Sequence, residues 1–195
     1  MKQLLTTIAA VVLVGCGGPM DSSVKEQLLI WGNKGDGIII ENDRKTMVRK
    51  ANNEKPYCGA LSEYPVPPDR LITLKINSSS ERMFFYIGLT SNNIEVNKWT
   101  NNRPKNLCLY FSDGKKWSGI HDSQYAKMNN SRDWRDSVVP VVRESETISL
   151  IYSPSSKKIT FYKDDNNVYE GHGFEGDLHL FAAVRYPEEK ITILE

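Results

Sequence analysis

The chain has 195 residues, with 25 Lys and Arg against 24 Asp and Glu and a formal net charge of +1. That length supports one domain with a substantial core and is too short to expect two full ones. Charges so evenly balanced give no clustered basic face of the kind that recruits nucleic acid, and no apolar run approaches the roughly 20 residues of a bilayer-spanning helix.

The first segment is a short positive end, Met1-Lys2-Gln3, followed by an apolar run from Leu4 to Val14 and the small-residue stretch Gly15-Cys16-Gly17-Gly18. These are the three parts of a secretory signal. Leu13-Val14-Gly15-Cys16 resembles the bacterial lipobox, which implies that the Cys16 thiol receives a diacylglycerol and becomes the first mature residue. The alternative for Cys16 is a buried core thiol or disulfide partner. The resemblance divides the chain into a lipoprotein signal peptide over residues 1–15, a lipidated N-terminus and leash over 16–27, and a domain over 28–195. Acyl chains hold a protein to a membrane because each buried methylene contributes about 0.8 kcal/mol. The expected place is the bacterial cell envelope, and Gly17 rather than Asp after the cysteine favours the outer membrane over the inner one.

From Leu28 onward, short apolar and β-branched runs alternate with Asn, Asp, Gly, Pro and Ser clusters, the spacing of an all-β antiparallel sandwich or barrel. Strands are expected at Leu28 to Trp31, Gly37 to Glu41, Thr46 to Lys50, Leu71 to Ile76, Met83 to Thr90, Leu107 to Ser112, Thr147 to Tyr152, Lys158 to Tyr162, His179 to Arg185 and Lys190 to Leu194. Asp113-Gly114 and the run Lys163-Asp164-Asp165-Asn166-Asn167 supply turn chemistry. No window carries apolar residues at i, i+3, i+4 and i+7 with a clean cap, so little helix is expected. Two long irregular stretches, 92–106 and 119–137, exceed the length of ordinary connections and are expected to be loops that carry function.

Cys58 and Cys108 remain after lipidation. In an extracytoplasmic chain an even count can close a bridge, so pairing of the two is expected, with two free buried thiols as the alternative.

The order of motifs in the second half resembles a SPRY (B30.2-type) domain, a bent antiparallel jelly-roll sandwich related in shape to legume lectins. Arg82-Met83-Phe84-Phe85-Tyr86-Ile87-Gly88-Leu89-Thr90-Ser91 resembles that family's strand ending in "GV(S/T)". Leu107 to Ser112 followed by Asp113-Gly114-Lys115-Lys116-Trp117 resembles its strand leading into a "DG" turn. Glu146 to Tyr152 and Lys158-Ile159-Thr160-Phe161-Tyr162-Lys163 resemble its next hairpin, and Leu178 to Val184 its "lyPav" strand. Asp165-Asn166-Asn167 stands where the family has Asn-Gly, and Tyr152 where it has an acidic residue. The resemblance implies a module that holds a protein or peptide through variable loops.

Catalysis by a lectin-shaped glycosidase would use alternating carboxylates on one strand, and no Glu-x-Asp-x-Glu arrangement occurs. Asp133/Asp136 and Asp164/Asp165 lie in turn-like sequence, so no catalytic residue is assigned and the chain is read as a binding protein, not an enzyme. His121, His172 and His179 show no helical zinc spacing, and neither a metal nor another cofactor is expected. Gly171 to His179 reads as a glycine-rich turn entering a strand. For binding, the long loops hold Trp99, Arg103, Tyr125, Arg132 and Trp134, residue types that dominate protein interfaces. Trp117 is expected in the core. A carbohydrate-binding lectin, with Trp99 or Trp134 stacking on a glycan, and a purely structural envelope lipoprotein are the alternatives to a protein partner.

Overall fold

The computed structural model describes residues 28–78, 82–91, 94–97, 106–125, 134–135 and 139–194. Fourteen strands are present among them: β1 (Trp31–Lys34), β2 (Ile38–Glu41), β3 (Thr46–Arg49), β4 (Cys58–Pro65), β5 (Ile72–Asn77), β6 (Phe85–Thr90), β7 (Leu107–Ser112), β8 (Ser118–Asp122), β9 (Trp134–Arg135), β10 (Thr147–Ser153), β11 (Lys158–Lys163), β12 (Asn166–His172), β13 (His179–Val184) and β14 (Lys190–Leu194). They form two antiparallel seven-stranded sheets, β1-β4-β13-β6-β7-β8-β9 and β12-β11-β10-β5-β14-β3-β2. The expected all-β antiparallel sandwich is the observed fold. The signal segment, Cys16 and the leash lie outside the described residues.

The second sheet has one dry and one wet face, as its sequence pattern requires. In Thr147–Ser153 and Ile72–Asn77 every other residue is buried. Ile72, Leu74, Ile76, Ile148, Leu150, Ile191 and Ile193 point into the core. On the outer side, Thr73 pairs with Ser149 at 2.9 Å and Thr46 with Thr192 at 3.1 Å, hydroxyl to hydroxyl. At the hairpin between β11 and β12 the turn is only Asp164-Asp165, with φ of 50° and 61°. Two consecutive left-handed residues make the two-residue turn that matches strand twist. Asn166 and Asn167, expected in the turn, therefore already belong to β12.

The first sheet breaks that pattern. All six residues of β6, of β7 and of β13 are buried. Their inner side, including Phe85, Ile87, Leu89, Tyr110, Leu180 and Ala182, joins the main core. Their outer side carries a second cluster of Phe84, Tyr86, Leu109, Phe111 and Phe181, closed by Ile94 and Val96. The described part of the 92–106 stretch thus packs on the sheet instead of standing away from it.

The 119–137 stretch is likewise not one loop. Residues Ser118–Asp122 form β8, paired along its length with β7, and Trp134–Arg135 add a short edge strand against it. Asp122 ends β8 and accepts from the backbone N–H of Gln124 and Tyr125, both at 2.9 Å, capping the helical turn over residues 123–125.

Cys58 and Cys108 do not pair: both are free and buried. Cys58 opens β4 and Cys108 lies on β7, with β13 and β6 between them. Three strand spacings of about 4.8 Å separate them by roughly 14 Å sideways, whereas bridged Cα atoms stand no more than about 7 Å apart. Following the register across from Cys58 leads through Val184 and Phe85 to Ser112, not to Cys108. Burial pushes both thiols up from their ordinary pKa, and the Asp122 charge adds to this at Cys108. Thiols held protonated in this way are poor nucleophiles.

Candidate binding surface

One end of the outer face of the first sheet is paved with rings. Phe84 and Phe111 stack at 6.2 Å with an interplanar angle of 17°, Tyr86 leans on both, and Tyr57 meets Phe84 and Tyr86 edge-on at 6.0 and 5.5 Å. Trp117 lies over this floor, its ring centroid 5.3 Å from Phe84 and 4.9 Å from Phe111. It is 44% exposed, which corrects the expectation that it belongs to the core. The reason is positional. The register sets Phe111 opposite Gly119 on the outer face, so Trp117, two residues before Gly119, faces outward as well.

The turn that delivers Trp117 is tightly built. Asp113 Oδ1 accepts from the backbone N–H groups of Lys115, Lys116 and Trp117, each at 2.8 Å, and Asp113 N–H donates back to the Trp117 carbonyl at 2.8 Å. Gly114 takes φ +72°, where a side chain would also strike Met83. Burial raises the Asp113 pKa, and the three N–H donors more than offset it, holding the carboxyl below its ordinary value. Lys115 and Lys116, within the same turn, are exposed. Arg185, also exposed, lies 5.6 Å over the rings of Tyr57 and Tyr186. The surface therefore offers the Trp117 ring, held on a floor of buried aromatics, with exposed cations nearby in the chain and over the neighbouring Tyr57 ring.

Other residues singled out from the sequence fall elsewhere. Tyr125 is half-buried in the helical turn after β8. Trp134 pairs with His121 in the backbone register of β8 and β9. Trp99, Arg103 and Arg132 lie outside the described residues. Asp164 and Asp165 are turn residues, with Asp164 bonded to Lys163 at 2.6 Å. Along Gly171 to His179 the chain spreads its side chains apart: His172 is exposed at the end of β12, Phe174 is in the core, and His179 is buried at the start of β13. Among the described residues no group of three or more His, Cys, Asp or Glu converges on a point that would hold a metal ion, and no helix is long and apolar enough to cross a membrane.

No protein-family model matches the chain, and no curated protein matches it. Solved structures do. A human SPRY domain superposes with a TM-score of 0.62 at 15% identity, covering 83% of this chain and 96% of that one. The TRIM65 PSpry domain gives 0.60 at 8% identity over 87% and 93% of the two chains, and the SPRY domain of human HERC1 gives 0.57 at 8% over 81% and 92%. At these identities the likeness is one of fold, and the fold is SPRY-like.

Proposed function

We propose that this chain is a lipid-anchored module of the cell envelope that binds a protein or peptide partner, with Trp117 as its anchor. The observation that carries the reading is the exposed Trp117 ring held on the Phe84–Phe111 floor, on a sheet whose central strands are buried on both faces. Large rigid aromatics beside Arg are the groups around which binding energy concentrates, because they bury much apolar area at small entropic cost. The SPRY-like sandwich supports the same reading, and no catalytic role is proposed.

The test uses the full chain to capture partners by cross-linking from envelope extract, in parent, Trp117→Ala and Trp99→Ala/Trp134→Ala forms, each checked for parental unfolding. The captured polypeptide, identified and titrated, binds Trp117→Ala at least about tenfold more weakly than the parent, the loss expected of one anchoring ring. Equal affinity for parent and Trp117→Ala, with loss only in the double variant, would move the contact to Trp99 and Trp134 in the 92–106 and 119–137 stretches. Undiminished binding by both variants would sink the reading.

Anchoring has its own test. In the native host, a fatty acid carrying an alkyne labels the parent chain and carries it into the detergent phase on cloud-point partition. Cys16→Ser takes no label and stays in the aqueous phase. An unlabelled parent would remove the lipid anchor from the proposal.

A further inference from the structure

At the opposite end of the same outer face the ladder is interrupted. Phe181 of β13 pairs with Leu61, but His179 pairs with Pro65, so β4 carries extra residues at Ser62–Tyr64. Three hydrogen bonds hold the bulge: Leu180 N–H donates to Ser62 Oγ at 3.0 Å, Ser62 Oγ donates to the Tyr64 carbonyl at 2.6 Å, and Glu63 N–H donates to the Ile30 carbonyl at 2.9 Å. On the other side β1 comes so close that a Cβ on Gly32 would stand 2.6 Å from Glu63 Cα. Bulges of this kind re-aim side chains. Here the result is an open groove of about 440 Å³ bordered by Asn33, Arg44, Glu63 and His179.

His179 is only 7% exposed. Its Nδ1 lies 3.0 Å from the Ser62 carbonyl, which can only accept, so Nδ1 carries a proton and donates there, and Nε2 is the ring's other polar atom. Nε2 has no partner among the described residues and is not sealed from solvent. The exposed Asn33 carboxamide, a donor and an acceptor, has no partner among the described residues either. Arg44 is held by its Nε–H to the Trp31 carbonyl at 3.0 Å and by an ion pair to Glu63. The one cation and the one anion of the groove thus cancel.

We propose that this groove is a binding site for a neutral saccharide. A hydroxyl both donates and accepts, so ring hydroxyls need acceptors and donors together, as the Glu63 carboxylate, Arg44 guanidinium, Asn33 amide and His179 imidazole provide. An anionic ligand would meet the Glu63 charge and find Arg44 already neutralised, and a cation would meet Arg44. The volume falls within the roughly 300–1,000 Å³ of small-ligand sites. The site is separate from the Trp117 surface and stands or falls independently of it.

The experiment screens the folded chain against an array of neutral and anionic oligosaccharides, then titrates the strongest neutral binder while following histidine imidazole resonances by NMR. The expected result is a preference for neutral glycans, a shift of the His179 signals with His172 unmoved, and at least tenfold weaker binding in Asn33→Ala and in Glu63→Gln. Trp117→Ala binds the glycan within twofold of the parent. Binding of no neutral glycan, preference for anionic ones, or affinity that survives both groove substitutions would overturn the proposal.

Discussion

Replacing Glu189 with alanine is expected to lower folding stability by roughly 3 kcal/mol or more at pH 5, and to abolish a pH dependence that the parent shows. Glu189 is fully buried in the corner where the chain leaves β13 for β14 and so passes from one sheet to the other. Its carboxyl accepts from the backbone N–H groups of Phe84, Arg185 and Tyr186. Its own carbonyl accepts from Arg49 N–H of β3 at 3.0 Å. The side chain therefore closes the corner onto the entry to β6, and its removal takes the acceptor from the buried Phe84 N–H and the half-buried Tyr186 N–H, while Arg185 N–H keeps the Phe84 carbonyl. An unpaired buried donor costs about 1–3 kcal/mol.

Burial pushes the Glu189 carboxyl up to about 7, against the opposing pull of the three N–H donors and the Arg49 charge. The unfolded chain loses this proton near the ordinary value of 4.5, while the folded chain keeps it until about 7. Between these limits the folded state binds more protons, so stability falls as pH rises through 4.5 to 7 and is flat on either side. The drop attributable to this group is about 3 kcal/mol. Urea unfolding at pH 5 and pH 8 measures both effects. The parent should be the less stable at pH 8, and the deficit of Glu189→Ala should narrow there. A parent equally stable at both values, or a variant within 1 kcal/mol of it at pH 5, would show that Glu189 does not govern the corner.

What the sequence revealed followed the range of the forces involved. Leu107 to Ser112 and Lys190 to Leu194 are strands at the expected bounds, because local β-branched and aromatic runs between turn residues suffice to define them. Cys58–Pro65 went unread. It opens on Cys-Gly-Ala with no β-branched residue, and at Gly59 the Phe181 ring would stand 3.0 Å from any Cβ. That requirement comes from a strand more than a hundred residues away. Trp117 was misplaced for the same reason: its face is decided by the pairing of β8 with β7. His179 gives no local sign that its ring bonds to Ser62, 117 positions earlier. Asp113-Gly114 was legible because its turn closes on its own backbone.

Gly88→Ala is expected to be the most damaging of the glycine-to-alanine changes among the described residues. Gly88 is the fourth residue of β6, paired with Leu109 on one side and Phe181 on the other. A Cβ there would stand 1.9 Å from the Cys108 carbonyl oxygen and 2.8 Å from Leu109 Cα. Both obstacles are backbone, so no rotamer change relieves them. The methyl can be accommodated only by parting β6 from β7, which breaks the ladder between the strands and uncovers Leu109 and Phe111. Overpacking of a tight core costs about 1–3 kcal/mol even where side chains can give way, and here the loss should exceed 3 kcal/mol. Gly176→Ala is the control: nothing lies within 4 Å of its Cβ position, and its φ of +78° leaves only backbone strain of about 1 kcal/mol. Since β7 carries the turn that presents Trp117, partner capture should disappear with Gly88→Ala and persist with Gly176→Ala. Equal stabilities for the two variants would mean that the approach of β7 to Gly88 is not what excludes a side chain there.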